Sequence, residues 1–352
     1  MRVAILGAGG IGLAMAALLC QEGHDPVVWS PSGRGTRALA DGEPLVASGF
    51  LTGSFRPRIA ASCALAMESA QCVIIAVPAY AHRAVMDTAA PHVLNTQTVV
   101  VSSQYSLSAM YLRDLLARRS IEVPIVAWGT TVVMGRRIGM AEVAVLTVRA
   151  SVDVATVPSA QSPAGLQTCR ALFGDRFHPR ANLIAIHLSN VNPQAHLANA
   201  LCNLTRMEKG EAWDNYGGLT PTVSRLVESL DAERLALAAA FGVPVRTMRE
   251  HMSRSFQLPL MPLADAAREI VARGGSPGPA TLEARWILED LPFGIVPQIA
   301  LADSAGMDVP LHRAGLALFS ALLGRDLASQ NDLLPHLPVA MSTPDQLTRL
   351  AS

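Results

Sequence analysis

The sequence predicts a doubly wound parallel α/β sheet over residues 1–180 and an all-α domain over residues 181–352. Three observations carry this. A short apolar run at 1–6 (MRVAIL) leads straight into Gly7-Ala8-Gly9-Gly10-Ile11-Gly12 and then into an apolar, helix-compatible stretch at 13–20. Two further apolar runs, 72–78 (CVIIAVP) and 98–102 (TVVVS), have the unbroken character of strands buried on both faces. Beyond about residue 180 the apolar spacing turns helical and stays so.

The first strand ends in a G-x-G-x-x-G turn. Gly7 permits the tight turn, Gly9 lets a backbone approach a pyrophosphate, and Gly12 lets helix and strand pack closely. The helix N-terminus then offers unpaired N–H groups and a positive dipole end to phosphates. The motif alone is weak, but directly after a strand it marks a dinucleotide site. Gly7, Gly9, Gly10, Ile11 and Gly12 are therefore expected to cradle the cofactor. A second strand follows at 27–29, then the 72–78 strand, whose end at Val77 and Pro78 is expected to line the same cofactor. Strands at 98–102, 123–128 and 143–148 follow, with a helix at 106–117 among them. Alternating strands and helices make this a Rossmann-type domain. Helices are expected at 183–203, 221–240, 244–252, 263–272, 280–290 and 311–323, separated by Gly/Pro loops such as 274–279.

At the end of the second strand, where such folds meet the adenine ribose, the chain reads Trp29-Ser30-Pro31-Ser32-Gly33-Arg34, with no carboxylate. Ser30, Ser32 and Arg34 can hold a 2′-phosphate by charge-assisted bonds, so NADP(H) is favoured, with NAD(H) as the alternative.

The 352 residues carry a formal net charge of zero and 16% charged residues, with no basic run to meet nucleic acid or a membrane surface. No stretch reaches the roughly 18–20 uncharged apolar residues of a membrane span. The glycines of the turn, and Leu19 before Cys20, argue against a secretion signal. Five cysteines without a C-x-x-C pair give neither a disulfide framework nor a zinc site, so no metal is expected and a cytoplasmic protein is. The chain has one lysine, Lys209, the sole candidate for a catalytic lysine.

In the helical half, Asn192 reads as an N-cap with Pro193 at the first helical position, which puts His196 in the first turn. There the dipole disfavours an imidazolium, and a histidine on an apolar helix is by itself more often packed core. Pro292 biases Leu291 away from helical dihedrals, so a helix is expected to end there, with Asp290 at its C-terminus. A carboxylate so placed opposes the dipole and needs a compensating partner. Glu289 can pair with Arg285 at i, i+4.

The glycine turn, Asn192-Pro193-x-x-His196, the Gly218-Leu219-Thr220-Pro221 turn before Asp231-Ala232-Glu233-Arg234, and Arg285…Glu289-Asp290-Leu291-Pro292 with Gly294 together resemble the opine dehydrogenases, octopine and nopaline types included. The resemblance spans nearly the whole chain. It implies an NAD(P)-binding domain joined to a helical domain, with the active site in the cleft between them. It also implies reductive condensation of an amino acid or amine with a 2-oxo acid. Residue by residue, His196 matches the catalytic histidine, Asp290 its partner, and Arg285 an arginine that binds a substrate carboxylate; Asn192 is taken as substrate-binding beside them. The stretch from His196 to Thr220 departs from the family pattern, reading HLANALCN and then Trp213-Asp214-Asn215-Tyr216, which leaves the amine open. The partners expected are those small molecules, and a homodimer is the assembly considered. Two other readings stand beside this one. A ketopantoate-reductase-type enzyme would need Lys209, which lies beside Gly210 in a loop. A non-catalytic NADP-binding sensor would need no His–Asp pair.

Overall fold

The computed structural model describes residues 1–352 and forms two compact units, Met1–Ile186 together with Arg349–Ser352, and His187–Thr348. The division falls inside the helix Leu183–Ser189, past the 180/181 junction at which the apolar spacing changes. The first turn of that helix belongs with the sheet unit: Leu183 N–H donates to Ala351 O (3.0 Å), and Gln104 Nε2 donates to Leu183 O (3.2 Å).

The strands of the first unit are β1 (Arg2–Leu6), β2 (Asp25–Trp29), β3 (Leu45–Gly49), β4 (Gly53–Phe55), β5 (Arg58–Ile59), β6 (Cys72–Ile75), β7 (Thr98–Ser102), β8 (Ile125–Trp128), β9 (Val133–Arg137), β10 (Glu142–Val148), β11 (Val152–Val157) and β12 (Phe177–Pro179). Eight of them form one sheet in the order β12-β11-β8-β7-β6-β1-β2-β5, parallel throughout except for β11 against β8. Val3 pairs with Pro26 on one side and Cys72 on the other, so the chain leaves β1 in both directions. The carboxyl ends of β1 and β6 therefore form the switch point at which such sheets bind ligands. β6 and, from Val3 on, β1 are buried, as their unbroken apolar runs require.

The 143–148 run does not join this sheet. It is β10 of a second, four-stranded sheet ordered β4-β3-β10-β9, parallel to β3 and antiparallel to β9. This sheet packs on α1 (Gly10–Gln21), the helix after the glycine turn. The approach is backbone to backbone: a Cβ on Gly10 would collide with Gly135 O, and one on Gly135 with Gly10 O. With the main sheet on one side and the second sheet on the other, α1 has no polar face, and Gly12 through Leu19 are all buried. The helix expected at 106–117 is α2 (Ser108–Ala117), shortened because Ser106 and Leu107 adopt left-handed φ of 49° and 53°.

The second unit is helical: α3 (Leu183–Ser189) enters it, followed by α4 (Asn192–Cys202), α5 (Pro221–Ala240), α6 (Met248–Phe256), α7 (Leu263–Ala272), α8 (Arg285–Leu288), α9 (Val296–Ser304) and α10 (Pro310–Leu323). Asn192 is the first residue of α4 rather than its cap; Asn190 Oδ1 accepts its N–H at 3.1 Å. α6 begins four residues later than expected, at a capping box formed by Thr247 and Glu250. Within α5, buried Arg234 donates to Asp231 Oδ1 (2.9 and 2.6 Å) and to the carbonyls of Leu188 and Arg246, while Asp231 Oδ2 accepts Met248 N–H (2.8 Å) at the start of α6. That motif is a structural joint between α3, α5 and α6.

The helix expected over 280–290 is reduced to α8, and it does not stop at Leu291. A π-helical turn, Leu291–Ile295, carries it into α9. Pro292 cannot donate to the preceding turn, and the wider turn accommodates it; Asn331 Nδ2 donates to Pro292 O at 2.8 Å. Asp290 is therefore not at a helix C-terminus. It needs a partner because it is buried, 3% exposed, rather than because of a dipole. No helix is long and apolar enough to cross a membrane.

Candidate active site

In the first unit, each glycine of the turn has its own reason. Gly7 takes φ +131°, and a Cβ there would strike Ala76 O at the end of β6. A Cβ on Gly12 would strike Gly7 O, so turn and helix close on each other. A Cβ on Gly9 would meet nothing, which leaves the side from which a pyrophosphate approaches clear. Gly9 is the N-cap of α1, with no side-chain cap and no acidic residue in the first turn, so its N–H groups remain for an anion. Gly10 answers to the second sheet instead, and Ile11 is half-buried beside it.

The carbonyl of Val77 accepts from Nε2 of buried His82 (3.2 Å), and His82 Nδ1 faces the Ser108 hydroxyl (3.1 Å). Val77 and Pro78 thus form a fixed, half-buried rim beyond β6. After β2, Ser30 is buried with its hydroxyl 3.5 Å from that of Ser32, while Ser32 and Arg34 are exposed and no ion pair engages Arg34. Arg137 of β9, which the sequence reading missed, ties this loop to the glycine turn. Its Nη1 donates to Ala8 O (3.1 Å) and Gly35 O (3.0 Å). A glycine-turn carbonyl, a ribose-side loop and an unblocked helix N-terminus fit a dinucleotide.

In the second unit, α4 and the segment after α8 bring His196 and Asp290 together across 94 positions. His196 Nδ1–H donates to Asp290 Oδ2 at 2.7 Å. The carboxylate side chain is 5% exposed and the imidazole 20%, so the carboxylate is sealed and the ring reaches solvent. No protein group is bonded to His196 Nε2. Trp286 stacks on the imidazole, with ring centroids 4.4 Å apart and planes 7° from parallel. Trp213 meets Trp286 edge-on, centroids 6.0 Å apart at 87°. Arg285, largely exposed, is ion-paired through Nε to Glu289, whose carboxylate is buried. Asn192 is exposed, and no contact joins its side chain to His196 or Asp290.

The segment that departs from the family pattern is a tightly built corner. Asn199 Nδ2 donates to Asn215 O and Oδ1, and Asn203 Nδ2 to Asn199 O and Oδ1, all at 2.9 Å. Asp214 accepts Gly217 N–H and Ser276 N–H, both at 2.7 Å. Asn199 and Asn203 lie three and seven positions past His196 on α4, a helical spacing that could have flagged them in the sequence. Nothing in the sequence pairs Trp213 with Trp286.

Residues 179–323 match the family model described as "NAD/NADP octopine/nopaline dehydrogenase, alpha-helical domain", and residues 3–132 match that of ketopantoate reductase PanE/ApbA. Among curated proteins, the chain is 28% identical over 338 residues to an opine dehydrogenase of Arthrobacter sp. (strain 1C), covering 95% of this chain and 94% of that one. Among solved structures, it is similar to octopine dehydrogenase with NADH and L-arginine (TM-score 0.81, 18% identity, 99% of this chain and 98% of that one). It is also similar to NADP+-bound yersinopine dehydrogenase (TM-score 0.68, 18% identity, 99% and 97%).

Proposed function

We propose that the chain is an NAD(P)-dependent oxidoreductase of the opine dehydrogenase type, in which His196, Asp290 and Arg285 carry the reductive condensation of an amino acid or amine with a 2-oxo acid. The observation that carries the proposal is the His196–Asp290 bond at 2.7 Å, with the far imidazole nitrogen left unbonded.

The amine adds to the oxo carbon, and the carbinolamine loses its hydroxyl as water to give a protonated imine. His196 Nε2 takes a proton from the nitrogen of the adding amine and returns it to this hydroxyl, which leaves as water. Asp290 accepts from Nδ1–H, so Nε2 is the base, and it stabilises the imidazolium between the two transfers. The Arg285 guanidinium takes the oxo-acid carboxylate by a charge-assisted contact. When bound, the reduced nicotinamide supplies the hydride that converts the imine carbon to the secondary amine. The protein contributes binding, orientation and proton handling.

The cofactor assignment follows the ribose side. With no carboxylate after β2, and with Ser32 and Arg34 exposed beside Ser30, a 2′-phosphate finds donors and no repulsion. NADP(H) is therefore the preferred dinucleotide. A ketopantoate-type mechanism fits less well, because Lys209 is an exposed residue just past a short helix.

Oxidation of NADPH with pyruvate, glyoxylate or 2-oxoglutarate, each with and without a panel of amino acids and amines, tests the reaction. Turnover is expected only when both substrates are present. Full-rate oxidation with a 2-oxo acid alone would replace this reading with a simple oxo-acid reductase.

A further inference from the structure

The bond to Asp290 fixes one nitrogen of His196, but it leaves the ring free to pivot about the Nδ1–Oδ2 line. With a fifth of the side chain exposed, water competes for that freedom. Trp286 lies flat against the ring at 4.4 Å and 7°. A bond in the ring plane and a plate against its face together determine where Nε2 points.

The plate is itself held. Trp213 abuts Trp286 edge-on. Its indole N–H donates to Pro279 O (2.8 Å), and its carbonyl accepts Gly278 N–H (2.8 Å). A Cβ on Gly278 would run into the Trp213 ring, so only glycine lets the segment close on it. Gly275, at φ +57°, likewise leaves room for the Asp214 carboxylate that clamps the same corner.

From this geometry we infer that Trp286 is a positioning residue for His196, backed by Trp213, and that it sets the direction of Nε2 toward the departing hydroxyl. This deepens the proposed function and rests on it. Trp286 acts through the imidazole, so its loss falls on kcat and leaves substrate KM in place. Misplacing a catalytic group by about 1 Å costs up to about 10²-fold.

Five variants and the wild type are assayed with saturating NADPH over a range of each substrate. Trp286→Leu keeps apolar bulk but loses the flat face, and its kcat is expected to fall by about 10–100-fold with each KM within about threefold of wild type. Trp286→Phe restores a flat face and is expected to recover kcat to within about threefold. In a His196→Ala background, Trp286→Leu is expected to add no further loss. The ring protons of His196, assigned by their disappearance in His196→Ala, are expected upfield of ordinary histidine positions in wild type and in Trp286→Phe. Trp213→Phe, which disturbs only the backing, is expected to shift them less than Trp286→Leu does, and this readout serves even if Trp286→Leu folds poorly. Full kcat in Trp286→Leu, equal losses in the Leu and Phe variants, a loss confined to KM, or unshifted His196 protons would each overturn the inference. A fully active His196→Ala would instead overturn the reading beneath it.

Discussion

The helical unit contains two histidine–carboxylate pairs of nearly the same length, 2.7 Å for His196–Asp290 and 2.6 Å for His312–Glu233. Their surroundings differ in every other respect. His312 is 1% exposed, and its far nitrogen is met by Gln194 Nε2 (2.9 Å) and Gln298 Oε1 (3.1 Å). Glu233 also accepts the N–H groups of Leu311 (2.8 Å) and His312 (3.1 Å) at the start of α10. Burial opposes its ionisation, yet the His312 bond and the two backbone donors hold the carboxyl below its ordinary range. This pair joins α4, α5, α9 and α10, and every ring nitrogen is spent on the protein. At His196 one nitrogen is spent, the other faces outward, and an indole controls the ring's plane. A short histidine–carboxylate bond is thus no mark of chemistry by itself; an unspent nitrogen at a partly exposed edge is.

Single substitutions should separate the two pairs most sharply. His196→Ala and Asp290→Ala are each expected to lower kcat per folded molecule by on the order of 10²–10⁴, the span of general acid–base groups, even though His196→Ala also leaves the buried Asp290 carboxylate without its imidazole. His312→Ala is expected to behave in the opposite way, destabilising the fold by about 2–5 kcal/mol while kcat per folded molecule stays within a few-fold. A His312 variant that folds normally but turns over slowly would erase the distinction.

A third histidine sharpens it by pH. Burial pushes His187 down to about 4 from its ordinary 6.5. The unfolded chain takes up this proton as pH falls below 6.5, but the folded chain does so only near 4. Stability is therefore full above 6.5 and is lost across 6.5 to 4, by on the order of 3 kcal/mol. Urea unfolding at pH 7 and pH 5 is expected to show this loss in wild type and much less of it in His187→Leu. Equal acid sensitivity in both would mean that other groups set this limb.

The smallest expected effect belongs to the sheet unit and an exposed charge. Arg34→Ala is expected to raise the NADPH Kd by about 5–10-fold, roughly 1 kcal/mol, while the NADH Kd moves less than twofold. Equal shifts for both dinucleotides would show that Arg34 does not read the 2′-phosphate.

The two units were legible in the sequence to different degrees, for a physical reason. At Gly7, Gly9 and Gly12 the constraint is a local φ, a cleared approach or a clash within a few residues, so the motif states its own geometry. Gly10 looked like part of that motif, but its constraint is Gly135, far along the chain in a sheet that no periodicity announced. β3, β4 and β9 are short strands, and β10 reads like one more strand of the main sheet because it too is apolar. In the helical unit, the coupling of His196 to Asp290 was visible through family resemblance and a mistaken helix end. The π-turn keeps the helix running, and burial does what the dipole was assigned to do. The Trp286 and Trp213 plates join positions with no spacing rule between them, and only the folded chain brings them together.

The claim that His196 and Asp290 act as one unit is tested most directly by the kcat of His196→Ala, Asp290→Ala and the double variant at saturating substrates, with NADPH Kd measured alongside. The double variant is expected within about threefold of the worse single variant, because residues that work together are non-additive, and the Kd is expected to stay at wild type. Losses that multiply would assign the two residues separate roles, and a fully active His196→Ala would return that histidine to the packed core.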